Sequence, residues 1–97
     1  MTELETFEKI TGVKFTDEFL KSRKNENVDH RDLFVSLIIR NNSNVELNRI
    51  AKIINKDRAT VRFSQIRFKD RYSTDKYYKI YADYITNKFK LNLLQIN

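Results

Sequence analysis

Apolar residues recur along much of this chain at helical spacing. Leu4, Phe7 and Ile10 form the first such set and run into Gly12, a residue suited to the left-handed position just past a helix end, which predicts a first helix over Thr2 to Thr11. Thr16 can cap a short second helix over Asp17 to Leu20. Lys21 to Asn27 then lacks apolar periodicity and reads as a polar loop, basic at its start. Asp29 with Asp32 resembles a capping box, and Leu33, Phe34, Val35, Leu37, Ile38 and Ile39 follow, a width of apolar surface that belongs to a central, buried helix.

The cluster Asn41-Asn42-Ser43-Asn44 ends that helix and offers a cap for the next, which carries Leu47, Ile50, Ala51, Ile53 and Ile54. Asn55 tolerates a left-handed turn, and Asp57 can cap a further helix to about Tyr72. Ser73-Thr74-Asp75 signals one more start, and a final helix over about 75–90 follows, with Asn92 to Asn97 read as frayed or as a tail. Its tyrosines at 77, 78, 81 and 84 stand at helical spacing and are assigned to the core.

Composition narrows the class. With 97 residues and 40% hydrophobic content the chain suffices for one domain over 1–97, and a single glycine with no proline disfavours hairpins and sandwiches. The expectation is an all-α domain of about six helices. Without cysteine, and with His30 alone, disulfides, thiolate chemistry and histidine-built metal sites are not expected, and no cofactor is implied. His30 reads as a surface or phosphate-contacting residue, and Asp29 and Asp32 as caps rather than acid-base groups, so no catalytic residue is expected. No run has the length of a secretory signal or a membrane span, which points to the cytoplasm and to no membrane partner.

The formal net charge is +6, although residues 1–20 hold two lysines against five acidic residues, so the surplus lies further on. Such a surplus suits a polyanion or serves solubility. Position favours the polyanion: Arg49, Lys52, Lys56, Arg58, Arg62, Arg67, Lys69 and Arg71 are opposed within that stretch only by Asp57 and Asp70. The same segment has the features of a helix-turn-helix, with Ala51 small enough for two helices to cross and Ile50, Ile54 and Val61 to pin them. Lys56 and Ser64 stand where many such motifs are apolar, and the bland alternative is an ordinary helical hairpin. On a helix capped by Asp57, residues Arg58, Arg62, Gln65 and Lys69 share one strip while Val61, Phe68 and Tyr72 share a neighbouring apolar one. Arg and Gln can read base edges, and Lys mainly meets phosphates. Phe63 and Ile66 lie on another side, to pack under the final helix or to contact a second subunit or another protein.

Gly12-Val13, the loop Lys21-Ser22-Arg23-Lys24, the apolar third helix, Leu47 and Ile50, and above all Lys56-Asp57-Arg58-Ala59-Thr60-Val61 make the chain resemble the C-terminal DNA-binding domain of the bacterial replication initiator DnaA, over roughly Glu3 to Ile85. The resemblance implies a Trp-repressor-like helical fold, a basic loop that sends an arginine into the minor groove, and a helix that reads the major groove. Carried over by motif, Arg23 is the minor-groove arginine, with Lys24 in its place if the loop aligns one residue differently and Lys21 beside them. Asp57 and Thr60 match the family's signature, Lys56 stands for its arginine, Arg58 for its histidine and Ala59 for a threonine, while Asn48 takes the place of a proline near the groove. Arg62 and Lys69 extend the same face. The chain holds no phosphate-binding glycine loop, so the initiator's ATPase activity is not implied.

The function expected on these grounds is non-enzymatic binding of double-stranded DNA by a stand-alone, sequence-selective regulator of transcription or replication, in a bacterial or phage-infected cytoplasm. The alternatives are a nonspecific nucleic-acid binder, and a protein-interaction module on the same fold, such as an inhibitor or phage component, for which Phe63 and Ile66 are the supporting features.

Overall fold

A computed structural model describes residues 2–41 and 47–96 of the chain, and these fold into six helices: α1 (Glu3–Thr11), α2 (Asp17–Lys21), α3 (Asn25–Asn41), α4 (Leu47–Ile54), α5 (Arg58–Thr74) and α6 (Lys76–Ile96). The all-α architecture matches the sequence expectation, and no strand occurs among the described residues. None of the described helices is long and apolar enough to cross a membrane.

Local chemistry explains most of the boundaries. Thr2 and Glu5 form a reciprocal capping box at the start of α1, and Gly12 ends it at φ 75°. Thr16 caps α2, its hydroxyl accepting from the Phe19 N–H at 3.2 Å. Asp75 caps α6 by accepting the N–H groups of Tyr77 and Tyr78, each at 3.0 Å. The cap expected at Ser43-Asn44 lies outside the described residues.

Three expectations about helix boundaries need correction. The polar loop is only Ser22, Arg23 and Lys24, because Asn25, Glu26 and Asn27 already form the first turn of α3. Its start is secured by the Lys24 carbonyl, which accepts from the N–H groups of Asn27 and Val28 at 3.0 Å each. Asp29 and Asp32 therefore lie inside α3 and do not cap it. At the other end, α6 continues to Ile96 instead of fraying at Asn92.

The core is built around α3, where Leu33, Phe34, Val35, Leu37 and Ile38 are all buried. Such a helix is apolar all round because neighbours surround it: α5 packs along it, with α1, α2 and α4 filling the remaining sides. Phe7, Phe15 and Phe34 meet edge to face, with ring centroids 5.1 to 5.9 Å apart. On the outside α6 lies across α1 and α5, burying Tyr78, Ala82, Ile85 and Phe89. The radius of gyration is 12.6 Å, against about 12.5 Å for a compact domain of this length.

The core assignment of the tyrosines holds for Tyr78 and in part for Tyr81, and fails for Tyr77 and Tyr84, which are exposed. His30 is half-buried, with Nδ1 2.7 Å from the Glu26 carbonyl and Nε2 2.9 Å from the Tyr81 hydroxyl, so it ties α3 to α6.

Candidate nucleic-acid interface

The crossing of α4 and α5 rests on a short connection whose geometry is fully accounted for. Asn55 takes φ 55°, the Lys56 N–H donates to the Ala51 carbonyl at 2.9 Å, and the Asn55 N–H donates to the Lys52 carbonyl at 3.2 Å. These are the two bonds of a Schellman motif, with asparagine in the position more often held by glycine. Asp57 follows in extended conformation and caps α5, its Oδ1 accepting from both the Thr60 N–H and the Thr60 hydroxyl at 2.8 Å. Those bonds favour the ionised carboxylate, so its pKa lies below the ordinary aspartate value. Ala51, Ile50, Ile54 and Val61 are buried where the two helices meet.

An open hollow of about 680 Å³ lies at this junction, lined by Asn48, Lys52, Lys56, Asp57 and Arg58 with the two small residues Ala51 and Ala59. Four of the sequence-selected residues, Asn48, Lys56, Asp57 and Arg58, are thus brought together. Thr60 is half-buried and engaged with Asp57. Lys52 counts among the basic stretch in the sequence but is given no contact role there, although its spacing of four residues from both Asn48 and Lys56 on or beside one helix is the available signal.

A second hollow, of about 560 Å³, is lined by Thr16, Glu18, Phe19, Lys21, Ser22, Lys24 and Asn27. The Ser22 hydroxyl shapes this loop by accepting from the Lys24 N–H at 3.2 Å and from the Asn27 amide at 2.8 Å. Arg23, beside them, is exposed. Further along α5, Lys69 lies with Gln65 and Arg40 around a smaller hollow of about 200 Å³, and the Arg40 guanidinium rests 5.1 Å from the Phe68 ring centre. Arg62 is exposed on the same helix.

The basic stretch divides sharply by partner. Arg67 makes a bidentate pair with Asp32, through Nε and Nη2 at 3.0 Å each, and its Nη2 also donates to the Ser64 hydroxyl at 3.2 Å. Ser64, polar where an apolar residue was expected, is buried within this network. Arg71 lies 3.2 Å from Asp29 and, through Nε, 3.1 Å from Asp75, the latter a contact of charge and not an aligned hydrogen bond. Burial raises the Asp29 pKa against the opposing pull of Arg71. Arg49 pairs with Glu3 at 3.0 Å. By contrast Lys52, Lys56, Arg58, Arg62 and Lys69 are exposed and have no ion-pair partner among the described residues.

Phe63 and Ile66 do not pack under α6; they are 59% and 62% exposed on the side of α5 away from the core. Among the described residues no group of three or more His, Cys, Asp or Glu side chains is gathered as a metal site. Compared with protein-family models, curated proteins and solved structures, the chain finds no match.

Proposed function

We propose that this chain is a non-enzymatic domain that binds double-stranded DNA with sequence preference, using α4 and α5 as a helix-turn-helix and the basic loop at Lys21 to Lys24 as a second contact. One observation carries the reading: Lys52, Lys56, Arg58, Arg62 and Lys69 are exposed and meet no carboxylate among the described residues, while Arg49, Arg67 and Arg71 are held in ion pairs. Exposed cations at the junction of two crossed helices suit a phosphate backbone, and the first turn of the second helix is where base edges are read in such motifs. On this reading Arg58 contacts a base, Asn48, Lys52, Lys56 and Lys69 position the duplex, and Arg23, with Lys21 and Lys24, tracks the minor groove. A relation to the DnaA C-terminal domain is part of the same proposal and rests on Lys56 to Val61, the basic loop and Gly12. The cell compartment that goes with it is the cytoplasm of a bacterial or phage-infected cell.

A second reading is favoured by the exposure of Phe63 and Ile66, which suits a protein partner docking on α5. Selection of bound duplexes from a random library, followed by binding at several salt concentrations, separates the possibilities. An enriched motif with a salt-dependent affinity supports the first reading. Binding without enrichment replaces sequence preference by charge alone, and no binding at low salt leaves the protein-partner reading.

A further inference from the structure

The two faces of α6 are both apolar. One holds Tyr78, Ala82, Ile85 and Phe89 and is buried against the body of the domain. The other carries Tyr77, Ile80, Tyr84 and Leu91, exposed by 82%, 59%, 53% and 59%. Solvent-facing positions on a helix are ordinarily polar, so a line of large apolar residues along one side needs an explanation. Their order supplies one. Ile80 follows Tyr77 by three residues, Tyr84 follows Ile80 by four, and Leu91 stands one heptad beyond Tyr84, with the exposed Asn87 at the intervening core position. This is the a/d repeat of a two-helix seam, with Tyr77, Tyr84 and Leu91 at a, Ile80 at d and one polar residue, Asn87, at the other d.

We propose that α6 is a self-association helix, and that a second copy of this chain covers the line from Tyr77 to Leu91 with the same line of its own. The exposed parts of the four apolar side chains amount to roughly 500 Å² in each copy. Complete mutual burial of these four residues removes about 1,000 Å², at the lower limit for a biological interface, and flanking residues add to it. A seam this short is marginal for isolated peptides, but α6 is already held as a helix by its inner face, so pairing does not have to order it.

Charge at the edges of the seam selects a copy over an unrelated apolar partner. Asp83 and Lys90 flank one edge and Lys88 the other. If the helices run parallel, Asp83 faces Lys88 of the second copy; in the antiparallel register that sets Ile80 against Leu91, Asp83 faces Lys90 of the second copy. Either arrangement places opposite charges together twice by symmetry. Lys88 already lies with Nζ 5.0 Å from the Tyr84 ring centre, so its stem can cover the seam while its charge stays at the rim.

Sedimentation of the whole chain from about 10 to about 500 µM at physiological salt tests the proposal. The expected result is a rise from monomer to twice the chain mass, abolished by Ile80→Glu with Leu91→Glu and unaffected by Phe63→Glu with Ile66→Glu. Circular dichroism checks that helix content is kept; should the double glutamate variant misfold, Tyr84→Ala, a truncation at an exposed position, is expected to weaken dimerisation about tenfold or more. A wild-type chain that stays monomeric over the whole range overturns the proposal. So does dimerisation that survives the α6 variants, or that is lost through Phe63 and Ile66 instead. The result does not depend on whether the chain binds DNA.

Discussion

The two halves of α5 carry the same kinds of cation and use them differently. In the second half, Arg67 and Arg71 reach back to α3, where Asp32 and Asp29 receive them. In the first half, Arg58 and Arg62 meet no carboxylate among the described residues and face solvent. Side-chain burial explains the difference. The Asp32 side chain is only 4% exposed, so its charge needs Arg67 beside it, whereas no buried acid among the described residues is paired with Arg58. An arginine committed to a buried acid is structural, and one left in water is available to an external anion.

The strongest test of this division is Arg67→Met, which keeps the long apolar stem and strands the Asp32 carboxylate. Loss of a buried partner of this kind costs about 3 kcal/mol or more, with Arg67's partial exposure placing it at the low end. Urea denaturation should register that loss, while Arg58→Ala or Arg62→Ala should stay within about 0.5 kcal/mol of wild type, as surface changes do. Equal stability losses in the two halves of α5 would erase the distinction.

A smaller effect is expected in recognition. An arginine at Arg58 can reach both major-groove acceptors of a guanine, and a good bidentate contact gives about 1–3 kcal/mol of discrimination. Arg58→Ala should therefore relax preference at one base pair of the selected site, and Arg62→Ala should lower affinity for all sites alike. If Arg58→Ala lowers affinity evenly and leaves the selected motif unchanged, α5 acts as an electrostatic docking surface and reads no base there.

The basic loop should behave differently again. Arg23→Ala with Lys24→Ala removes two cations that mainly neutralise phosphate, so the slope of log affinity against log salt should fall by about 2. The affinity loss should be similar on every duplex. A double variant with the wild-type slope would remove the loop from the interface.

How far these roles were legible depended on the range of the interaction that sets them. Gly12, Thr16, Asn55, Asp57 and Asp75 were readable because a cap or a turn is decided by residues three to five positions away. Asp32 was misread as a cap because its true partner, Arg67, lies 35 residues further along the chain, beyond any local pattern. The first turn of α3 was missed since Asn25, Glu26 and Asn27 have little apolar side to bury and so leave no periodic trace. Tyrosine defeated the core assignment on α6, since adjacent residues such as Tyr77 and Tyr78 point about 100° apart and only one of them can face the body of the domain. For the candidate interface the sequence located the exposed cations, but not which of the eight between Arg49 and Arg71 were already paired.

The smallest expected effect concerns the acid at the start of α5, and it sharpens the contrast with Asp32. Asp57 is an exposed cap whose carboxylate is held below the ordinary aspartate pKa by the Thr60 N–H first and the Thr60 hydroxyl second. Because the folded pKa lies below the unfolded one, near 3.9, the charged cap contributes fully above that unfolded value. Its contribution is lost as pH falls through the lower folded value. Asp57→Asn keeps a side-chain oxygen able to cap α5 but removes the ionisation, so it should change stability little at pH 7 and flatten part of the decline below about pH 4. Asp57→Ala removes the oxygen as well and should be less stable at both ends. Glu5 and Asp75, whose pKa values are also lowered, titrate in the same acid range, so the informative quantity is the difference between wild type and Asp57→Asn at each pH. Urea midpoints from about pH 2.5 to 7 measure it directly. If the two proteins trace parallel curves through the acid range, the ionised form of Asp57 contributes nothing beyond what a neutral amide supplies, and Thr60 is bound by a cap whose charge is irrelevant to folding.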